Sequence, residues 1–145
     1  MKVFSLRPQG VTYYGTSTPG CSGPQTLRLS TAPKVGTNWL ITGVDNVPAS
    51  TLGLLLVTDS QDAVGHDTFG LGVNLFVDFF AATQFYGLDL NGTGLGRGLA
   101  ITPIPNNPLL AGTKYYFQAL SAWAPARCPP FNLSASNAAE VVILP

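Results

Sequence analysis

Apolar and polar residues alternate with a period of two in several stretches of this 145-residue chain, and no stretch carries a sustained helical period. The clearest alternation sets Leu71, Val73, Leu75 and Val77 against Gly72, Asn74, Phe76 and Asp78, which predicts a half-buried strand. A second sets Tyr115, Phe117, Ala119 and Trp123 against Lys114, Tyr116 and Gln118, and a third is read at Val141 and Ile143. Further strands are expected over residues 11–14, 26–30, 38–44, 51–58, 83–90 and 98–104, about nine in all. Residues 52–57 are apolar on both faces, the pattern of a strand covered on both sides or lying at a contact.

Turn chemistry separates these runs at Pro19-Gly20, Asp45-Asn-Val-Pro48, Asn91-Gly92 and Pro105-Asn-Asn-Pro108. Short strands with one apolar face each are best satisfied by packing two sheets together. The expected fold class is therefore all-β, a two-sheet antiparallel β-sandwich of Ig-like or jelly-roll-like type, although a closed barrel needs a similar pattern. The length suits one domain. Residues 14–145 are read as that single sandwich domain and residues 1–13 as an amino-terminal arm or first strand.

Composition sharpens the picture. Charged residues are 10% of the chain, against roughly 25% in ordinary soluble domains, and the formal net charge is zero. With 46% hydrophobic residues the chain can bury enough apolar surface to fold. In the first half, Lys2, Arg7, Arg28 and Lys34 balance Asp45, Asp59, Asp62 and Asp67, so no basic footprint points to nucleic acid or anionic lipid. The longest apolar runs fall far short of the roughly 20 residues that span a bilayer, so the chain is not expected to cross a membrane. At the start, Lys2 is followed by Arg7 and Pro8 before an apolar segment can build up. That opening reads as an arm and not as a signal peptide, and a secreted form would be numbered from after processing.

Both cysteines sit among turn-formers, in Thr18-Pro-Gly-Cys21 and in Arg127-Cys128-Pro129-Pro130. An even count of loop cysteines in a chain of low charge predicts a Cys21–Cys128 disulfide, closing about 107 residues and stabilising by roughly 4 kcal/mol in the chain-entropy model. A disulfide in turn points to an oxidising setting, secreted or at the cell surface.

The chain offers little to chemistry. Its single histidine, His66, could join Ser60 and an aspartate in a triad, but no Gly-x-Ser-x-Gly elbow exists and a histidine in a polar loop is more often solvated. One histidine and two distant cysteines do not make a zinc site, and Glu140 is the only glutamate available for a catalytic carboxylate pair. No catalytic residue and no cofactor are assigned. Asp59, Asp62 and Asp67 crowd one segment and form a weak calcium candidate, but without EF-hand spacing an acidic turn is favoured. The glycine-rich run 92–98 lacks the Lys-Ser/Thr ending of a phosphate loop. Asn91 and Asn132 open N-glycosylation triplets. Tyr13, Tyr14, Trp39 and Trp123 are the candidate glycan contacts, with Tyr115 and Tyr116 as further members of a stacking platform, although alternating aromatics are more often core.

Several strings also carry a family resemblance: Tyr14-Gly-Thr-Ser-Thr-Pro-Gly-Cys21, Gly72-Val-Asn-Leu-Phe-Val-Asp78, the run 101–112 with Tyr115 to Gln118 behind it, and Ser136-Asn137. In this order they resemble a β-rich module found at the carboxyl end of secreted or cell-surface bacterial proteins of planctomycete and myxobacterial type. The resemblance covers most of the chain from Tyr14 onward, and Pro103-Ile-Pro-Asn-Asn-Pro108 before an aromatic strand is its most specific part. It implies an extracellular module without catalytic residues. Such modules often carry a cysteine near the position of Asn74, whereas this chain has Cys128 in a late loop.

Together these readings predict a non-enzymatic structural or adhesive β-sandwich module, a subunit of a surface assembly or filament. It would self-associate or meet other surface proteins by β-strand addition, with residues 1–14 as the candidate donor segment. A carbohydrate-binding module with glycan partners is the alternative, and a small hydrolase around His66 ranks last.

Overall fold

The structure is a computed structural model that describes residues 8–19, 21, 23–47, 52–81, 84–88, 97–123, 128 and 132–145. Ten strands follow one another: β1 (Val11–Tyr14), β2 (Leu27–Leu29), β3 (Leu40–Val44), β4 (Leu52–Thr58), β5 (Gln61–His66), β6 (Leu75–Val77), β7 (Gln84–Leu88), β8 (Gly98–Thr102), β9 (Lys114–Ala122) and β10 (Leu133–Val142). Among the described residues the one helical element is a 3-10 turn at Pro108–Leu110, where the Asn107 side chain accepts the Leu109 N–H and proline supplies a pre-set first position. The strands form a five-stranded sheet in the order β1-β10-β9-β4-β7, a three-stranded sheet β2-β3-β8 and the β5-β6 pair, and every ladder is antiparallel.

The sandwich arises because the large and small sheets bury their inner faces against each other. Leu55 and Val57 of β4, Phe117 and Ala119 of β9 and Val141 of β10 pack with Leu27 and Leu29 of β2 and Leu40 and Val44 of β3. The β5-β6 hairpin adds a third layer on the opposite face of the large sheet. There Leu56, Leu75 and Val77 form a second cluster, with Phe79, Tyr116 and Leu120 packed around it. The centre of β4 is thus covered on both sides, as its unbroken apolar run predicts.

Sheet and hairpin are joined by a polar staple. Gln118 is fully buried, and its Nε2 donates to the carbonyls of Asn74 (3.0 Å) and Ser136 (2.9 Å), while its Oε1 accepts the Phe76 N–H (2.8 Å). The Ser136 carbonyl is presented by a register shift in β10 between Ala135 and Ala138. The two main sheets are tied in the same manner: Asn137 Oδ1 accepts the Leu27 N–H at 2.8 Å and Tyr13 OH accepts the Leu29 N–H at 3.0 Å. On the other flank of the chain, Cys21 and Cys128 form a disulfide with Cα atoms 5.6 Å apart, linking residues separated by 107 positions.

Three elements differ from the sequence reading. Strand β5 occupies the stretch taken as a polar acidic loop; its residues are mostly exposed and Val64 is 81% exposed, so no apolar alternation announces it. The strand expected over 71–77 is reduced to Leu75–Val77, because Asp67 accepts the N–H groups of Leu71 and Gly72 and folds the preceding residues into a turn. Phe76, assigned to the solvent face, is buried instead. Its ring lies against Gly15 and Gly65, both at positive φ, and a Cβ on either would come within 2.7 and 2.4 Å of it. Finally, β10 is ten residues long, whereas only its apolar end was legible. Its buried positions from Ser134 to Ala139 are Ser and Ala, the small residues that a strand covered on both faces needs. The boundary drawn between residues 13 and 14 falls inside β1, which pairs with β10 from Val11↔Val141 to Tyr14↔Ala138.

Candidate functional site

The structure distributes the sequence-predicted residues in a way that removes most of them from surface chemistry. Tyr13 is half-buried and engaged through its hydroxyl with β2. Tyr14 donates to the Phe76 carbonyl at 2.6 Å and meets Phe76 and Tyr116 edge-on. Burial pushes its phenol well above the usual range, and a hydrogen bond with Gln61 only partly opposes this. Trp123 is buried and its indole N–H donates to Ser134 Oγ at 2.8 Å. As glycan contacts Tyr13, Tyr14 and Trp123 are therefore corrected to packing residues, and Trp39, 66% exposed, is the one member of that set open to solvent. Tyr115 and Tyr116 are half-buried on opposite faces of β9 and form no common platform.

The acidic candidates do not converge. Asp67 serves the turn before β6, and Asp62 Oδ1 accepts the Gly65 N–H at 3.0 Å while its Oδ2 lies 2.5 Å from His66 Nδ1. Among the described residues no group of three or more His, Cys, Asp or Glu side chains is placed to hold a metal ion, so the calcium candidate Asp59, Asp62 and Asp67 is corrected: Asp62 lies in β5 and Asp67 holds the turn before β6. The pair of His66 with Asp62 is real, but Ser60 is engaged through its backbone at the β4-β5 turn. Asn132 holds a left-handed conformation and its Oδ1 accepts the Cys128 N–H at 2.9 Å, closing the disulfide loop. Asn91 and most of the glycine run 92–98 lie outside the described residues.

Asp62 gives a pH prediction. Burial acts to raise its carboxyl pKa, but the hydrogen bonds from His66 and the Gly65 N–H outweigh it and hold the group below the ordinary carboxylate range. A folded value below the unfolded one means that its stabilisation is present above the ordinary range and is lost as pH falls through the lowered value. Carboxyl-detected NMR should show His66→Ala raising the Asp62 midpoint; an unchanged midpoint would count against the pairing.

Two features that sequence reading missed dominate the surface. The first is an aromatic face. Cross-strand register puts Leu52, Leu54 and Leu56 of β4 on the same side as Phe85 of β7 and Leu120 and Ala122 of β9. The β5-β6 hairpin covers the β9-β10 part of this side and, on β4, Leu56. Beyond it Leu52 is 68% and Phe85 52% exposed, and Phe80 is 76% exposed in a cluster with Phe69, Phe79 and Phe85, with ring centroids 4.9–6.0 Å apart. Phe69, Phe79 and Phe80 lie in turns, where no periodicity marks them. The second feature is a cavity between the sheets, bounded by Leu40, Val57, Thr102 and Phe117. On the outer face of the small sheet, a shallow depression carries the Arg97–Asp45 ion pair at 3.0 Å.

Fold and surface together define a class: an all-β sandwich with one disulfide, a hairpin layer on the back of its larger sheet, and an uncovered aromatic face. No family model, no curated protein and no solved structure matches the chain. No helix among the described residues is long and apolar enough to cross a membrane.

Proposed function

We propose that this chain is a non-enzymatic structural or adhesive module of the extracellular or cell-surface kind, which self-associates through the β7 edge and the aromatic face beside it. The supporting observation is the continuity of these two surfaces. Among the described residues β7 pairs only with β4, and its sequence Gln-Phe-Tyr-Gly-Leu carries no charge, proline or bulge to discourage pairing. Next to it lies exposed apolar surface on Phe85, Phe80, Leu54 and Leu52.

A second copy fits both. Antiparallel β7–β7 pairing is isologous, continues the large sheet across the interface and sets the two aromatic faces side by side. The amino-terminal donor segment is a weaker candidate, because residues 11–14 already pair with β10 in their own sheet and residues 1–7 lie outside those described. The disulfide accords with an oxidising, extracellular setting, as does the resemblance to carboxyl-terminal modules of secreted bacterial proteins.

Sedimentation velocity over rising concentration tests the proposal. The natural chain should form dimers or larger species, and Phe85→Lys, a charge on an exposed edge position, should return it to monomer with an unchanged circular dichroism spectrum. A natural chain that stays monomeric at millimolar concentration, or a Phe85→Lys variant that associates equally well, would overturn it.

A further inference from the structure

Gly87 lies within the edge strand β7, and nothing in its own chain accounts for it. A glycine weakens a strand, and it is kept where the backbone needs positive φ or where a neighbour leaves no room for a Cβ. Gly53 of β4 is of the second kind, since a Cβ there would come within 2.6 Å of the Leu88 side chain. Gly70 and Gly112 have open space around them but hold positive φ. Gly87 answers to neither reason: its φ lies outside the left-handed range, and a Cβ on it would meet no atom within 4 Å. Its own chain would accept any strand-forming side chain at this position.

The gap has a definite neighbourhood. Gly87 shares its face with Phe85 and pairs with Leu54 of β4, so an exposed ring stands beside a place where no side chain screens Leu54. A knob and a gap two residues apart on one edge complement each other under antiparallel pairing of two copies. A two-fold axis normal to the sheet keeps every side chain on its own face, so it passes beside a residue and not between two. Passing beside Tyr86, it overlaps the whole of Gln84–Leu88 with its copy and sets Phe85 opposite Gly87, with Gln84 opposite Leu88. Passing beside Phe85 or Gly87, it leaves Gly87 and Leu88, or Gln84 and Phe85, outside the overlap, and it sets ring against ring or gap against gap.

We infer that β7 pairs with β7 of a second copy in the register centred on Tyr86, the Phe85 ring of each copy lying over Gly87 of the other. A ring across from a glycine covers backbone that the glycine leaves bare, which favours this register over its neighbours. Gly87 is thus the residue that specifies the partner. The inference rests on the self-association proposed above and adds a consequence to it. The edge is used up in a closed two-fold dimer, and any longer assembly has to employ another surface.

The test is isotope-filtered NMR on a mixed dimer in which one copy carries carbon-13 glycine and the other is unlabelled. Cross-peaks between the copies should join the Gly87 α-protons to the Phe85 ring, since residues directly opposite stand about 4.5–5.5 Å apart. Sedimentation adds a second reading. Phe85→Ala should weaken the dimer about tenfold more in the natural chain than in the Gly87→Ala background, because the ring matters most across from a bare backbone and each dimer holds two such pairs. Should Phe85→Ala leave no measurable dimer in either background, the cross-peaks decide alone. A dimer whose cross-peaks join Gly87 to Gly87, or one without Gly87 cross-peaks to the Phe85 ring, overturns the inference and leaves self-association standing. An equal loss in the two backgrounds does the same. A natural chain that remains monomeric overturns both.

Discussion

Gln118→Leu should lower the unfolding free energy by about 3–5 kcal/mol, because it leaves three backbone groups without their partner at about 1–3 kcal/mol each. Those groups are the Phe76 N–H and the carbonyls of Asn74 and Ser136. Leucine fits the volume and adds apolar contact, and the Asn74 carbonyl lies toward solvent, so the sum falls below the maximum. The damage is also local. Gln118 holds the hairpin to β9 and to the shifted part of β10, so amide exchange in β5 and β6 should accelerate more than exchange in β3 or β8. Urea unfolding with linear extrapolation measures the total. A loss below about 1 kcal/mol would mean that the three groups find water in the variant.

Removing the disulfide by Cys21→Ser with Cys128→Ser should cost about 4 kcal/mol, the loop entropy regained by an unfolded chain no longer closed over so long a segment. For a domain of this size that loss corresponds to a fall of about 8–16 °C in the midpoint of thermal unfolding. Since folded domains hold only about 5–15 kcal/mol in all, the double variant should sit near the edge of stability. Cys128 is buried, but its partner Cys21 is exposed, so reductant should produce the same shift in the natural protein. Calorimetry with and without reductant checks both, and a midpoint that does not move would show that the crosslinked ends stay together without the bond.

The fold was legible wherever burial on one face wrote an alternation into the chain. Strands β1, β2, β3, β4, β7, β8 and β9 fall within or close to their expected ranges, and the turn-set cysteines pair as their context implies. Legibility failed where a strand has other company. Strand β5 lies over the sheet with its side chains facing solvent, so its residues look like a loop, and β6 is buried on both sides, so Phe76 broke the expected alternation. In β10 the two-sided burial favoured Ser and Ala, which carry no periodic signal.

Candidate sites were less legible than the fold. Tyr13, Tyr14 and Trp123 were nominated for their chemistry, and packing claims them instead. The exposed cluster of Phe69, Phe80 and Phe85 comes from two turns and an edge strand, and only tertiary structure brings these rings together.

The pairing of β1 with β10 has a geometric consequence. Val11 lies opposite Val141, and the Val142 N–H bonds to the Gly10 carbonyl, so the chain arrives and departs side by side at one pole of the sandwich. The disulfide lies at the other pole, where the Cys128 N–H bonds to Asn132 just before β10 begins. Gly10 and Val142 mark the first pole, where Tyr115 and Ile143 border the cavity. A surface approaching the first pole would meet the cavity mouth, with the disulfide at the far end of the same strand.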